Sequence, residues 1–222
     1  IESESNSEAL FEALQPELLL TFGGLIVSKK VKKFLRNFKP NQHFHIDPRE
    51  ANDTFFSLSQ HFETSVNEFF KPIQQALKQQ KSNYFKKWNR IRLQTLKYRE
   101  TYKHEIGFTD FAFYYSLFDH LPKDETVHFA NSSSIRYANL FDSRREIKAF
   151  ANRGTSGIDG STSTAIGYAV ASKSPTTLVT GDLSFFYDSN ALWNNYIPKN
   201  FKIILLNNAG GGIFRILPGN KN

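Results

Sequence analysis

Thr176-Thr177-Leu178-Val179-Thr180-Gly181-Asp182-Leu183-Ser184 is a β-branched run that stops on glycine and an acid. Phe201-Lys202-Ile203-Ile204-Leu205-Leu206-Asn207-Asn208-Ala209-Gly210-Gly211-Gly212 is an apolar run that stops on two amides and a run of glycines. Runs of this kind bounded by turn residues read as strands buried on both faces. The segment between them carries Ala191, Leu192 and Trp193 and reads as a helix. Strand, helix and strand in that order make a parallel pair with a crossover helix. In open parallel sheets ligands bind beyond the carboxyl ends of the strands, where neighbouring loops diverge. Asp182 and Asn208 stand at two such ends, so both can approach one ion. A carboxylate, an amide carbonyl and a backbone carbonyl, the last at Gly210, are hard oxygen ligands suited to Mg²⁺, with phosphate and water completing its shell. Gly181 and the glycines 210–212 let backbone come close to a bulky anion, and N–H groups opening the next helix help to hold it. Either half alone is more simply a helix cap or an ordinary turn. The two halves together favour the ion site.

Working outward, the same alternation continues toward the N-terminus. Ser163–Ala171 is a small-residue helix entered from the glycine-rich loop Arg153–Gly160, Ser134–Phe141 is helical, Val127–Ala130 is a short strand, and Phe108–Leu121 is helical. Residues from about Asn52 to His104 are rich in Gln, Lys and aromatics with few breakers, which predicts helix. Ser5–Leu14 predicts a helix, and Leu18–Phe22 a strand ending in Gly23-Gly24. A helix follows with Val27, Val31, Phe34 and Leu35 on one face, then a strand at His43–Ile46. This first strand–helix–strand unit lacks a full dinucleotide fingerprint and is assigned no cofactor. The expected fold is α/β, with three-layer Rossmann-like parallel sheets and helices on both faces. Two domain parts are expected, 1–80 and 81–222, with the boundary near Gln79–Ser82.

With 222 residues, 40 % hydrophobic and 15 % aromatic, the chain has the composition of a globular protein. The apolar runs are too short to cross a bilayer, and no signal segment is expected. No cysteine occurs, which excludes disulfide and thiolate chemistry and predicts a cytoplasmic, bacterial setting. The chain opens on Ile1 and holds no Met, so it is expected to be a piece of a longer protein, with its last domain incomplete beyond Asn222. The formal charge is +7, much of it between Lys78 and Lys103 among Tyr84, Phe85, Trp88, Tyr98 and Tyr102. Such interleaving can bind nucleic acid, but a long helix with a solvated basic face is the preferred reading, and neither nucleic acid nor a membrane span is expected. His43, His45 and Asp47 alternate onto one strand face and could hold a metal, although a polar strand edge is the favoured reading.

Three further segments carry chemistry. Asn152-Arg153-Gly154-Thr155-Ser156-Gly157-Ile158-Asp159-Gly160 is a loop whose glycines suit backbone packed on a ligand, with one apolar residue among them. Asn131-Ser132-Ser133-Ser134-Ile135-Arg136 is a serine-rich helix start followed by a guanidinium, and alone is usually just a capped helix. Gly212-Ile213-Phe214-Arg215-Ile216-Leu217-Pro218 is an apolar segment whose default role is core packing.

Together these segments resemble thiamine-diphosphate enzymes, most closely the menaquinone-pathway branch of 2-succinyl-5-enolpyruvyl-6-hydroxy-3-cyclohexene-1-carboxylate synthases. The resemblance covers almost the whole chain and is dense from Asn131 to Pro218. Gly-Asp opens and Asn-Asn closes the thiamine-diphosphate signature; Leu183 replaces the usual third glycine, a departure familiar in this branch. The resemblance implies the C-terminal part of such an enzyme: a central-domain remnant (1–80) and a diphosphate-binding domain (81–222). It implies thiamine diphosphate held by Ile158, Gly181, Asp182, Leu183, Ser184, Asn208, Gly210 and Gly211, with Mg²⁺ or Mn²⁺ on Asp182, Asn208 and Gly210. Ile158 would prop the cofactor between its rings. Ser132, Arg136 and Arg153 would bind substrate carboxylates, and Ile213, Phe214 and Leu217 would wall the reacting carbons.

The implied reaction is decarboxylation of 2-oxoglutarate and addition of the resulting succinyl semialdehyde carbanion equivalent to isochorismate. The family's activating Glu comes from the N-terminal domain of a partner subunit; Glu63, Glu68, Glu100 and Glu105 match nothing in that role. A homodimer or homotetramer with interfacial sites is therefore implied, and 1–222 alone should be silent. An acetolactate synthase or 2-oxoacid decarboxylase is the nearest alternative, opposed by Leu183 and the 153–160 loop.

Overall fold

Leu18–Phe22 (β1), Gln42–Ile46 (β2) and Gln60–Phe62 (β3) pair in parallel in the order β1-β2-β3, with Leu20 against Phe44 and Phe44 against Gln60. The structure, a computed structural model, describes residues 4–78, 81–141 and 147–215. They divide into two units, Ile1–Tyr102 and Lys103–Asn222. In the first unit the helices are α1 (Glu4–Leu14), α2 (Lys29–Asn37), α3 (Val66–Ala76) and α4 (Tyr84–Glu105), the last crossing the division in its final turn. Ser28 starts α2 by accepting the Val31 N–H at 3.2 Å. Ser65 and Glu68 form a reciprocal capping box on α3, a Ser-x-x-Glu pattern satisfying two orphan donors. The Ser65 hydroxyl and N–H, with the Thr64 hydroxyl, hold the Glu68 carboxyl below the usual carboxylate range. Phe34 meets Phe11 at 5.7 Å and Trp88 at 6.0 Å, which seats α1, α2 and α4 on one another.

The basic, aromatic stretch is thus one 22-residue helix, with Trp88 packed and the Tyr84 hydroxyl donating to the Leu14 carbonyl at 2.9 Å. The stretch from Asn52 differs from expectation, because β3 comes before any helix. Gln60-His61-Phe62 is an edge strand too short to show an alternation.

The second unit holds α5 (Asp110–His120), β4 (Thr126–Phe129), α6 (Ser133–Ala138), β5 (Lys148–Phe150), α7 (Ser161–Ser172), β6 (Thr176–Gly181), α8 (Asp182–Tyr187) and β7 (Phe201–Leu206). All strand pairs are parallel, in the order β5-β4-β6-β7. Every residue of β4 is buried, as are Thr176–Thr180 of β6, because helices cover both sides. Val127, Phe129 and Val179 pack with Tyr114, Leu117, Phe118 and Leu121 of α5 and Ala138 of α6. Each buried Val, Leu or Phe side chain here contributes about 1.5–3 kcal/mol through burial. Thr126 and His128 face the other way, toward Tyr168 of α7. This is the three-layer α/β arrangement expected.

At the amino end of the sheet, buried Glu125 accepts from Thr177 Oγ1 at 2.5 Å and Lys202 Nζ at 3.2 Å, joining three strands. The carboxyl end is left for the loops. Two details differ from expectation here. Lys148–Phe150 adds an exposed edge strand with no apolar alternation. The segment with Ala191 and Leu192 is a 3₁₀ turn, Ser189–Leu192, because the α-helix begins at once on Asp182 and ends at Tyr187.

Candidate functional site

Asp182 is the first residue of α8 and the last side chain of the β6 end, 7 % exposed. Its Oδ1 accepts the Leu183 N–H at 2.8 Å and its Oδ2 accepts the Gly210 N–H at 2.8 Å. A single carboxylate therefore ties the end of β6 to the turn after β7. Buried carboxylates are paired with cations or coordinate metals, and each oxygen here keeps a second lone pair. Among the described residues no cation pairs with Asp182, so the donor set fits a hard cation.

The turn itself is shaped by three successive residues at positive φ: Ala209 (61°), Gly210 (107°) and Gly211 (64°). At 107° Gly210 lies beyond what a side chain tolerates, which explains a glycine there. Asn208 Oδ1 accepts the Gly212 N–H at 2.9 Å. A Cβ on Gly212 would stand 2.8 Å from Asn208 Nδ2, so only glycine leaves the carboxamide where it is.

Asn131, Ser132, Ile158, Gly181, Asp182, Leu183, Ser184, Asn208, Gly211 and Ile213 all line one cleft. Its enclosed part is about 70 Å³. That suits an ion and part of a phosphate rather than an entire cofactor. The chemistry of the donors, two side-chain oxygens and close-approaching backbone, fits a metal–diphosphate group. Ser132, at φ 66° and ψ −127°, is a non-glycine residue in a sparsely populated region and sits on the cleft wall. Such a conformation costs about 1–3 kcal/mol and concentrates at functional sites.

The loop 152–160 reaches the cleft through Ile158, whose carbonyl accepts the Ser184 hydroxyl at 2.5 Å. Asn152 closes the loop by donating to the Gly160 carbonyl and Thr164 Oγ1, each at 3.0 Å. Gly160 adopts φ 72° to turn into α7. Buried Asp188 then caps α7 from a distance, accepting Ser163 N–H at 2.7 Å and Ser163 Oγ at 2.6 Å. Asp188 went unnoticed in the sequence because its partner lies in a different element.

Arg136 and Arg153 do not line the cleft. Arg153 stands behind it, donating to Asn131 Oδ1 at 2.7 Å. The Nε atoms of both arginines are buried donors without a partner among the described residues, which suits carboxylate binding. Phe214 lies in a 3₁₀ turn, Gly212–Arg215, and its side chain is outside the described set; Leu217 lies outside the described residues altogether.

Another cavity, about 580 Å³, belongs to the first unit and is lined by residues 19–22 of β1, Gly23, Gly24, His45, Asp47 and Arg49. Several polar groups in and beside it are hydrogen-bonded. His43 and His45 both turn to the Thr21 hydroxyl, at 2.8 and 2.9 Å, while Asp47 Oδ1 accepts the Arg49 and Glu50 N–H groups. Burial lowers the His43 pKa, with Asp53 opposing the shift. Among the described residues no group of three His, Cys, Asp or Glu side chains is placed to hold a metal. No helix among them is long and apolar enough to cross a membrane.

No protein-family profile matches the chain. Curated proteins do. The chain is 56 % identical over 222 residues to the 2-succinyl-5-enolpyruvyl-6-hydroxy-3-cyclohexene-1-carboxylate synthase of Christiangramia forsetii, covering all of this chain and 38 % of that protein. It is 54 % identical over 212 residues to the same-named enzyme of Flavobacterium johnsoniae, covering 95 % of the chain and 38 % of the relative. The Bacteroides fragilis enzyme is 43 % identical over 215 residues, again 38 % of its length. The chain thus spans well under half the length of these relatives.

Proposed function

We propose that this chain, which belongs to the 2-succinyl-5-enolpyruvyl-6-hydroxy-3-cyclohexene-1-carboxylate synthase family over the part it spans, supplies the metal and diphosphate side of a thiamine-diphosphate site. The observation that carries the reading is Asp182, a buried carboxylate that joins two strand ends and keeps free lone pairs toward the cleft. Asp182, the Asn208 carboxamide and the Gly210 carbonyl would hold Mg²⁺ or Mn²⁺. Gly181, Leu183, Ser184 and Gly211 would border the diphosphate. When bound, the cofactor supplies the electron sink for decarboxylation.

The remaining work falls to this chain's residues. Ile158 presents an apolar side chain to the cleft, with its backbone fixed by Ser184, and would set the cofactor's bend. Ser132, Arg136 and Arg153 would orient substrate carboxylates, since a guanidinium fork fixes a plane as well as a charge. Ile213, Phe214 and Leu217 would exclude water from the reacting carbons. The proposed whole reaction is decarboxylation of 2-oxoglutarate and carbon–carbon bond formation with isochorismate, in a cytoplasmic homodimer or homotetramer. Within it, 1–80 would be a central-domain remnant and 81–222 the diphosphate-binding domain. Among the described residues no Glu lines the cleft, and Glu68 is committed to its capping box.

The test is carbon dioxide release from 2-oxoglutarate by the full-length protein with thiamine diphosphate and Mg²⁺, with and without isochorismate. Product that needs every component and collapses in Asp182→Ala supports the reading. Decarboxylation indifferent to isochorismate would refute the substrate assignment, and absence of any reaction would refute the cofactor assignment. Residues 1–222 alone should show no turnover.

A further inference from the structure

The Asn131 carboxamide engages its oxygen and both of its N–H groups. Asn131 lies two residues beyond the end of β4 and is 2 % exposed. Its Oδ1 accepts from Arg153 Nη1 at 2.7 Å, and its Nδ2 donates to the carbonyls of Asn152 at 2.7 Å and Gly157 at 2.6 Å. One planar group thus holds the guanidinium of Arg153 and both ends of the segment that leads into Ile158. Backbone carbonyls buried in such a loop need donors, and a side chain from the sheet supplies them here. Asn131 thereby ties the loop to the carboxyl end of the sheet.

We propose that Asn131 is a positioning residue that couples the carboxylate-binding Arg153 to the cofactor-facing Ile158, placing both from the end of β4. The inference rests on the proposed function for what the two residues do, but the coupling itself is a property of the fold. Asparagine is required because the site needs one acceptor and two donors. Aspartate satisfies Arg153 but turns an oxygen toward two carbonyl oxygens. Alanine satisfies nothing. The two substitutions therefore separate the two tasks.

The experiment uses the full-length protein carrying Asn131→Ala, Asn131→Asp or Asn131→Ser, the last as a smaller polar replacement should alanine fail to fold. Amide hydrogen exchange over residues 152–160, thiamine diphosphate affinity in Mg²⁺, and the KM for 2-oxoglutarate are read together. Expected are exchange at 154–158 faster by tenfold or more in all variants and cofactor affinity weakened about 10–100-fold in both Ala and Asp, the usual range for outer-shell partners. The KM rises strongly in Ala and much less in Asp, which keeps its acceptor for Arg153. Unchanged exchange in the loop would overturn the inference, as would an Asp variant that matches Ala in KM. If the wild-type protein binds no thiamine diphosphate, the proposed function fails, while the exchange data still decide the coupling.

Discussion

Gly212→Ala perturbs the site at one atom. The added Cβ would lie 2.8 Å from Asn208 Nδ2, 3.1 Å from its Cγ and 3.3 Å from its Oδ1. Ordinary contact begins near ~3.5 Å, so the carboxamide must retreat by about 0.7 Å. That retreat breaks the 2.9 Å bond from the Gly212 N–H to Asn208 Oδ1 and moves the oxygen proposed to meet the metal. Metal and binding sites need their groups within about 0.5 Å of the productive position. A displacement of this size should weaken Mg²⁺-dependent thiamine diphosphate binding about 10–100-fold, which is roughly 1.4–2.7 kcal/mol. Folding should change little, since the atom displaced is the end of a side chain that can rotate. Calorimetric titration of the full-length protein reads the affinity. Gly107→Ala is the control, because a Cβ there meets nothing within 4 Å. Wild-type affinity in Gly212→Ala would refute the assignment of Asn208 to the metal.

Asp188→Ala strands the Ser163 N–H and hydroxyl at the start of α7 and should cost about 2–4 kcal/mol, read as a lowered unfolding temperature of the full-length protein. Lys202→Met leaves buried Glu125 with only the Thr177 hydroxyl. Because Lys202 is 56 % exposed, the expected loss is about 1–2 kcal/mol, below that for a fully buried pair, and denaturant unfolding would show it. His128 and His43 both have pKa values lowered first of all by burial, so the unfolded chain binds more protons just below pH ~6.5. Stability is then unaffected above that pH and falls as pH drops below it. A melting-temperature series from pH 8 to 5 should show the fall, with a shallower slope in His128→Phe; a flat series would contradict the burial argument.

The parallel sheet and its helices were legible because their signals are local and repeated. Val127 and Phe129 alternate with Thr126 and His128 across β4, and Thr176–Thr180 is β-branched at every position but Leu178. The motif residues at the strand ends were legible for the same reason, since a strand that stops on Gly181-Asp182 places them. The short edge strands β3 and β5 were not, because a three-residue strand is stabilised by its neighbour rather than by its own pattern. Nor were the joints of the site. Asp182 reaches Gly210, Asn131 reaches Gly157, and Asp188 reaches Ser163 across 28, 26 and 25 positions, and no spacing rule announces such pairs. The sequence suggested Ser184 as a cofactor contact, and the fold adds that its hydroxyl is spent on the Ile158 carbonyl.

The most direct measurement is a crystal structure of the full-length protein grown with thiamine diphosphate and Mn²⁺, read for anomalous scattering at the manganese edge. The account predicts one peak coordinated by the Asp182 carboxylate, the Asn208 carboxamide oxygen and the Gly210 carbonyl, with the diphosphate alongside it. A peak elsewhere, or diphosphate density away from these strand ends, would contradict it.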